Sequence, residues 1–271
     1  MDNRVAVRMK VTQELKIFIF YAFLIIIAET VTTFISPSIG LFMHSMILVS
    51  LLTLSAFWNK SKNASNLFLC LSLAPLIRIF SLSLPLQYLP TYAWYLIAAV
   101  PMAIAAVTVM RIQGLSLTNV GITFKKPIIQ LAVMLTGIPF GIIEYYILKP
   151  KSIAVGLSTT GIAFVAVGLI IATGFVEELV FRGVLLSSAV KVFGDKAGLI
   201  GVTVVFAALH IGWLSILDLL FVFAIGLFFG VLRLKTGSIA GVSLSHGLDN
   251  VVLFLIMPLF KVSFLTLLLI R

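Results

Sequence analysis

Long apolar runs, broken at intervals by proline, glycine and charge, dominate the pattern of this chain. A helix needs about 20 mostly apolar residues to cross a bilayer. Runs of about that length occupy 17–35, 41–58, 67–84, 94–110, 127–148, 159–190, 197–213, 216–232 and 238–259, and a shorter one fills 262–270. Pro37, Pro85, Pro90 and Pro150 lie between runs, where a chain turns. The runs are too long and too unalternating for barrel strands, which leaves helices as the way to satisfy every backbone polar group in lipid. The pattern predicts an all-α, polytopic transmembrane helix bundle of eight to ten spans, without repeats or linkers.

The expected organisation is an N-terminal segment 1–16, a transmembrane scaffold 17–158, a transmembrane core 159–260 and an apolar tail 261–271. The first sixteen residues are polar and no small-residue cleavage site follows run 17–35, so that run reads as a retained span and not a removed signal peptide.

Charge orients the bundle. Arg4, Arg8, Lys10 and Lys16 precede the first run, and Lys60 and Lys62 follow the second. Arg111, Lys125 and Lys126 follow the fourth, Lys191 and Lys196 the sixth, Arg233 and Lys235 the eighth. The alternate loops hold only Lys149, Lys151 and Lys261. Cations collect on cytoplasmic loops, so the N-terminus is expected in the cytoplasm. The membrane would be the cell membrane in a prokaryote and the endoplasmic reticulum in a eukaryote.

Composition supports the bilayer as solvent. Hydrophobic residues make up 61% and charged residues 10% of 271 positions, against roughly 45–50% and about 25% in a soluble domain. The net charge of +10 would suggest nucleic acid in a soluble protein; here the cations sit in short loops, and no nucleic-acid partner is expected. A lone cysteine, Cys70, excludes a disulfide framework and a cysteine metal site.

Ionisable groups inside spans are costly and need an account. The densest set is in the last hundred residues. Glu177, Glu178 and Arg182 stand in the sixth run, His210 in the seventh, His246 and Asn250 in the ninth. On a helix Glu178 and Arg182 are i,i+4 neighbours and can pair, whereas Glu177 points about 100° away, on the face of Phe181. Counted from the nearest cationic loop at about 1.5 Å per residue, Glu177, His210, His246 and Asn250 all lie roughly 16–22 Å along their helices. A shared level suggests a shared site, expected to open toward the cytoplasmic side.

The residue types suit hydrolysis. A carboxylate sheltered from bulk water can act as general base on a water molecule, and a neighbouring histidine can share that proton. His246 and Asn250 offer N–H donors to a developing oxyanion. Alternatively Glu177, His210 and His246 would ligate zinc with an open water position, although no H-E-x-x-H spacing is present. A proton- or ion-coupled transporter using the same Glu/His cluster as a relay is the competing class. Elsewhere, Glu29 and Arg78 are expected to pair, and His44 to be interfacial. Glu144 is expected in an aromatic belt with Tyr145 and Tyr146, and Asp218 near a span start. Asp249 would be turned away from Asn250, and Phe181 and Phe206 would be core packing.

Glu177-Glu178-x-x-Phe181-Arg182, then Phe206-x-x-x-His210, then His246-x-x-x-Asn250, resembles the three-motif signature of the CPBP superfamily, which holds the type II CAAX prenyl endopeptidases and the prokaryotic Abi-like proteins. The resemblance covers roughly 159–255. It implies an intramembrane endopeptidase acting on a membrane-associated or prenylated peptide, or on a peptide such as a bacteriocin precursor. It implies that Glu177 and His210 activate water, that His246 and Asn250 stabilise the oxyanion, and that Glu178 and Arg182 support them. Family descriptions often say metalloprotease; the motif layout also fits a metal-independent glutamate mechanism, which is the reading preferred here.

Overall fold

A computed structural model describes residues 12–84 and 88–260. The tail 261–271, the first eleven residues and Pro85 lie outside the described residues. The described residues are 83% helical and contain no strand.

The helices are α1 (Gln13–Phe34), α2 (Pro37–Phe57), α3 (Lys62–Leu71), α4 (Leu73–Ser83), α5 (Thr91–Gln113), α6 (Pro127–Leu135) and α7 (Gly137–Leu148). Then come α8 (Thr159–Leu169), the three-residue α9 (Val176–Glu178), α10 (Leu186–Ala208), α11 (Ile216–Thr236) and α12 (Ala240–Val251). Serine and threonine start several of them: Thr12, Ser36, Ser61, Ser158 and Ser215 each accept from a backbone N–H in the first turn, satisfying donors that would otherwise be orphaned.

Among the described residues, eight helical stretches are long and apolar enough to cross a membrane. The stretch Thr159–Trp213 is 55 residues long and folds back on itself. Gly194 takes φ 76°, and a Cβ at Gly198 would meet Val190 N at 2.9 Å. A helical continuation would hold those residues far apart, so this is a hairpin of two spans, and the described residues make nine passes.

Helix α12, with its extension to Phe260, is the central strut: 67% of its span window is buried, against 22–44% elsewhere. It crosses the π-helical segment Ile170–Phe175 almost backbone to backbone. A Cβ at Gly174 would strike Ser243 O, and one at Gly247 would meet Ile170 Cα at 2.6 Å. Only glycine allows this approach, which packs helices where the hydrophobic effect gives no help. Outward faces carry the exposed Phe20, Phe23, Phe42 and Val49, as lipid-facing helices do.

Two buried groups inside the first four helices depart from or extend the sequence expectations. Glu29 and Arg78 pair, Nε donating to Oε1 at 2.8 Å and Nη2 lying 2.7 Å from Oε2. His44 is not interfacial: it is fully buried, with Nε2 3.4 Å from Glu29 Oε1. Interfacial placement would have left that carboxylate with one partner fewer at depth.

Candidate active site

Two π-helical segments, Ile170–Phe175 and Leu179–Leu185, flank the single α-turn Val176–Glu178. π-bulges alter which face each residue presents and are frequent at functional positions. Here they present two adjacent glutamates to different surroundings.

Glu178 is fully buried and engaged twice. Arg182 Nη1 donates to its Oε1 at 2.7 Å, and His246 Nδ1 lies 2.9 Å from the same oxygen. The i,i+4 pair expected from spacing is present. A carboxylate only accepts, so His246 Nδ1 is the donor and Nε2 is left for another partner. Arg182 also stacks over Phe206, its guanidinium carbon 4.1 Å from the ring centroid.

Glu177 is only partly buried and, among the described residues, has no hydrogen-bond partner. It lines a cavity together with His210, His246 and Asn250. His210 Nδ1 is 3.0 Å from Phe206 O. A carbonyl cannot donate, so Nδ1 carries the proton and Nε2 keeps its lone pair. Asn250 Nδ2 donates to Thr173 Oγ1 at 2.8 Å, while Thr173 donates to Leu169 O at 2.8 Å. Thr173 therefore fixes the amide and leaves its second N–H free. All four residues singled out from the sequence meet at one cavity of about 100 Å³.

Phe206 is the hub of this packing, with ring centroids 4.9 Å from Phe181 and 4.8 Å from His210. Arg78 reaches the same place from α4: its Nη2 donates to Leu209 O at 2.8 Å, holding the backbone next to His210.

The zinc alternative does not assemble. Among the described residues no three His, Cys, Asp or Glu side chains are gathered as a metal ion requires. Glu177, His210 and His246 line one cavity without forming a ligand set, and no step below is routed through a metal.

The cavity extends toward one end of the bundle. Its wall includes Tyr95, Glu144, Trp213 and Phe254, which belong to the half of the bundle away from the cationic loops; Trp213 is exposed. Depth counted from the cationic side was common to all four residues but did not say which end is open.

Sequence reasoning missed three further carboxyl groups. Glu144, on α7, approaches both Asp218 and Asp249. Asp218 is fully buried, and neither of its oxygens nor Asp249 Oδ1 has a donor. Glu144 is buried in the bundle, and it and Asp249 line the cavity together with Asn250. A hydrogen bond between carboxyl groups requires a proton on one of them. Their separation in sequence, on α7, α11 and α12, gave no signal of this meeting.

A second, apolar cavity of about 90 Å³ shares Tyr95, Thr173 and Glu177 with the first and continues along Ala98, Met102 and Val180. Glu177 thus stands between a polar space and an apolar one.

Residues 158–252 match the family of Rce1-like type II CAAX prenyl endopeptidases. The Rce1-like segment includes Thr173, Glu177, Glu178, Arg182, His210, His246 and Asn250, and is consistent with a protease of the CPBP superfamily. At family level it points to an intramembrane CAAX-type endopeptidase. Tyr95 and Glu144 come from outside it. Comparison with curated proteins and with solved structures found no match.

Proposed function

We propose that this protein is an intramembrane endopeptidase in which Glu177 and His210 activate a water molecule. The observation that carries this reading is the contrast within the glutamate pair. Glu178 is tied to Arg182 and His246, while Glu177, one residue away, is unengaged and faces a cavity with His210 Nε2.

A water held between Glu177 and His210 loses its proton to the carboxylate as its oxygen bonds to the scissile carbonyl carbon. The carbonyl oxygen becomes an oxyanion, which accepts from the free Asn250 N–H and from His246 Nε2–H. That second donor requires a doubly protonated His246 ring, for which Glu178 is the counter-charge. The carbon–nitrogen bond then breaks, and the proton on Glu177 passes to the leaving amine. Free carboxylate and amine products result, and Glu177 is restored.

The substrate is a membrane-associated peptide. The apolar cavity beside Glu177 supports an apolar side chain or a prenyl chain adjacent to the scissile bond. With the N-terminus in the cytoplasm, the positive loops would face the cytoplasm and the cavity mouth the opposite leaflet.

The test is cleavage of a quenched fluorescent peptide, prenylated or plain, by purified wild type and by Glu177→Gln, each with and without a strong chelator. Activity lost in the variant and kept with chelator is the expected result. Activity lost with chelator would replace the glutamate mechanism by a metal one. Full activity in Glu177→Gln would overturn the reading.

A further inference from the structure

At the cationic end of the bundle, a cavity of about 200 Å³ is lined by Asn119, Arg182, Ser187, Lys191 and Arg233. Its two arginines are deeply buried, Arg182 at 2% and Arg233 at 9% exposure. Arg233 Nη2 donates to Asn119 O at 2.8 Å and to Ser187 Oγ at 3.4 Å. Its Nε has no acceptor, and neither has Arg182 Nη2. Among the described residues no carboxylate pairs with Arg233 or Lys191; the ion pairs present join Glu29 and Glu178 to other groups.

A buried guanidinium without a counter-charge is expensive, and more so within a bilayer. Arg182 is half compensated by Glu178, and Arg233 only by neutral oxygens. What this arrangement lacks is an anion. Arg182, Arg233 and Lys191 reach the cavity from α11 and from the segment Leu179–Lys191, beside a Ser187 hydroxyl that donates to Asn119 O at 3.2 Å. Donors converging from several directions suit the tetrahedral oxygens of a phosphate better than the two coplanar oxygens of a carboxylate. The loops at this end carry most of the chain's cations, and anionic phospholipids are concentrated in the leaflet that such loops face.

We propose that this cavity binds a phosphate group, supplied by an anionic phospholipid headgroup or by a soluble phosphate. It is separate from the cavity that holds Glu177, and the inference does not depend on the hydrolytic reading. The two cavities are linked by one side chain, since Arg182 donates to the carboxylate that holds His246.

The experiment is the melting temperature of the purified full chain in phosphatidylcholine nanodiscs. The additions are phosphatidylglycerol in the disc, inorganic phosphate in the buffer, or acetate in the buffer. A rise with phosphatidylglycerol alone assigns the site to a lipid headgroup, and a rise with inorganic phosphate assigns it to a soluble group; either supports the proposal. Arg233→Gln and Lys191→Gln should each weaken the effect about tenfold, the worth of one charge-assisted contact. Lys62→Gln, a cation exposed at the same end, should leave it intact. Lys191 is exposed, so its variant folds even where Arg233→Gln does not. No rise in wild type, an equal rise with acetate, or a rise undiminished in Lys191→Gln would overturn the proposal.

Discussion

In the N-terminal half, Glu29, Arg78 and His44 meet inside the bundle; in the C-terminal half, Glu178, Arg182 and His246 do the same. Each cluster holds one carboxylate, one guanidinium and one imidazole at depth. The first joins α1, α2 and α4, and none of its members lines the cavity with Glu177. The second has a member, His246, on that cavity's wall, with Glu177 unengaged and Asn250 half free beside it. A buried ion cluster by itself is a structural joint. Chemistry needs a reactive group left over, and space next to it for a water and a peptide bond.

That contrast can be broken by exchanging which glutamate is lost. Glu177→Gln should lower the cleavage rate by about 10²–10⁴-fold, the usual worth of a general base, with the melting temperature unchanged. Glu29→Gln should do the opposite, keeping turnover per folded molecule while lowering the melting temperature. If both variants lose activity equally at equal stability, the division between joint and site fails.

Next in size, Arg78→Met strands the Glu29 carboxylate and should cost about 3–5 kcal/mol of unfolding free energy, as breaking a buried pair does. Denaturant titration in detergent would measure it, and the double variant Glu29→Gln, Arg78→Met should recover part of the loss. Full stability in the single variant would show that the N-terminal cluster is not a joint.

A smaller effect is expected at the oxyanion. Asn250→Ala should lower kcat by about 10²–10³-fold, the cost of one oxyanion donor, with little change in KM. Smallest is Thr173→Val, which removes only the hydroxyl that orients Asn250. A loss of about 0.5–1.5 kcal/mol in transition-state stabilisation is expected, the net worth of one hydrogen bond. Were Thr173→Val as damaging as Asn250→Ala, Thr173 would touch substrate and not merely position the amide.

Much of this was legible in the chain. The span pattern gave the helices because a bilayer leaves the backbone no other solution at that length. The i,i+4 spacing gave the Glu178–Arg182 pair, and the equal depths of Glu177, His210, His246 and Asn250 placed them at one level. His44 was misjudged because nearness to a span start along the chain says nothing about the neighbouring helix that buries it. Glu144, Asp218 and Asp249 were unremarkable one by one; they meet because α7, α11 and α12 pack together.

By itself the sequence determined that this is a helical membrane protein, which of its ends is rich in cations, and which polar residues stand at a common depth. Local periodicity and the price of burying charge act residue by residue, so they can be read without a fold. Only the tertiary structure decided that His246 leans on Glu178 and not on Glu177, and that Tyr95, Glu144, Trp213 and Phe254 join the cavity's wall. It also decided that Arg233, at the other end, is buried with only neutral oxygens as partners among the described residues. Those outcomes depend on how Gly174 and Gly247 let two helices touch and on which side chains face one another across the bundle, and distance along the chain does not encode them.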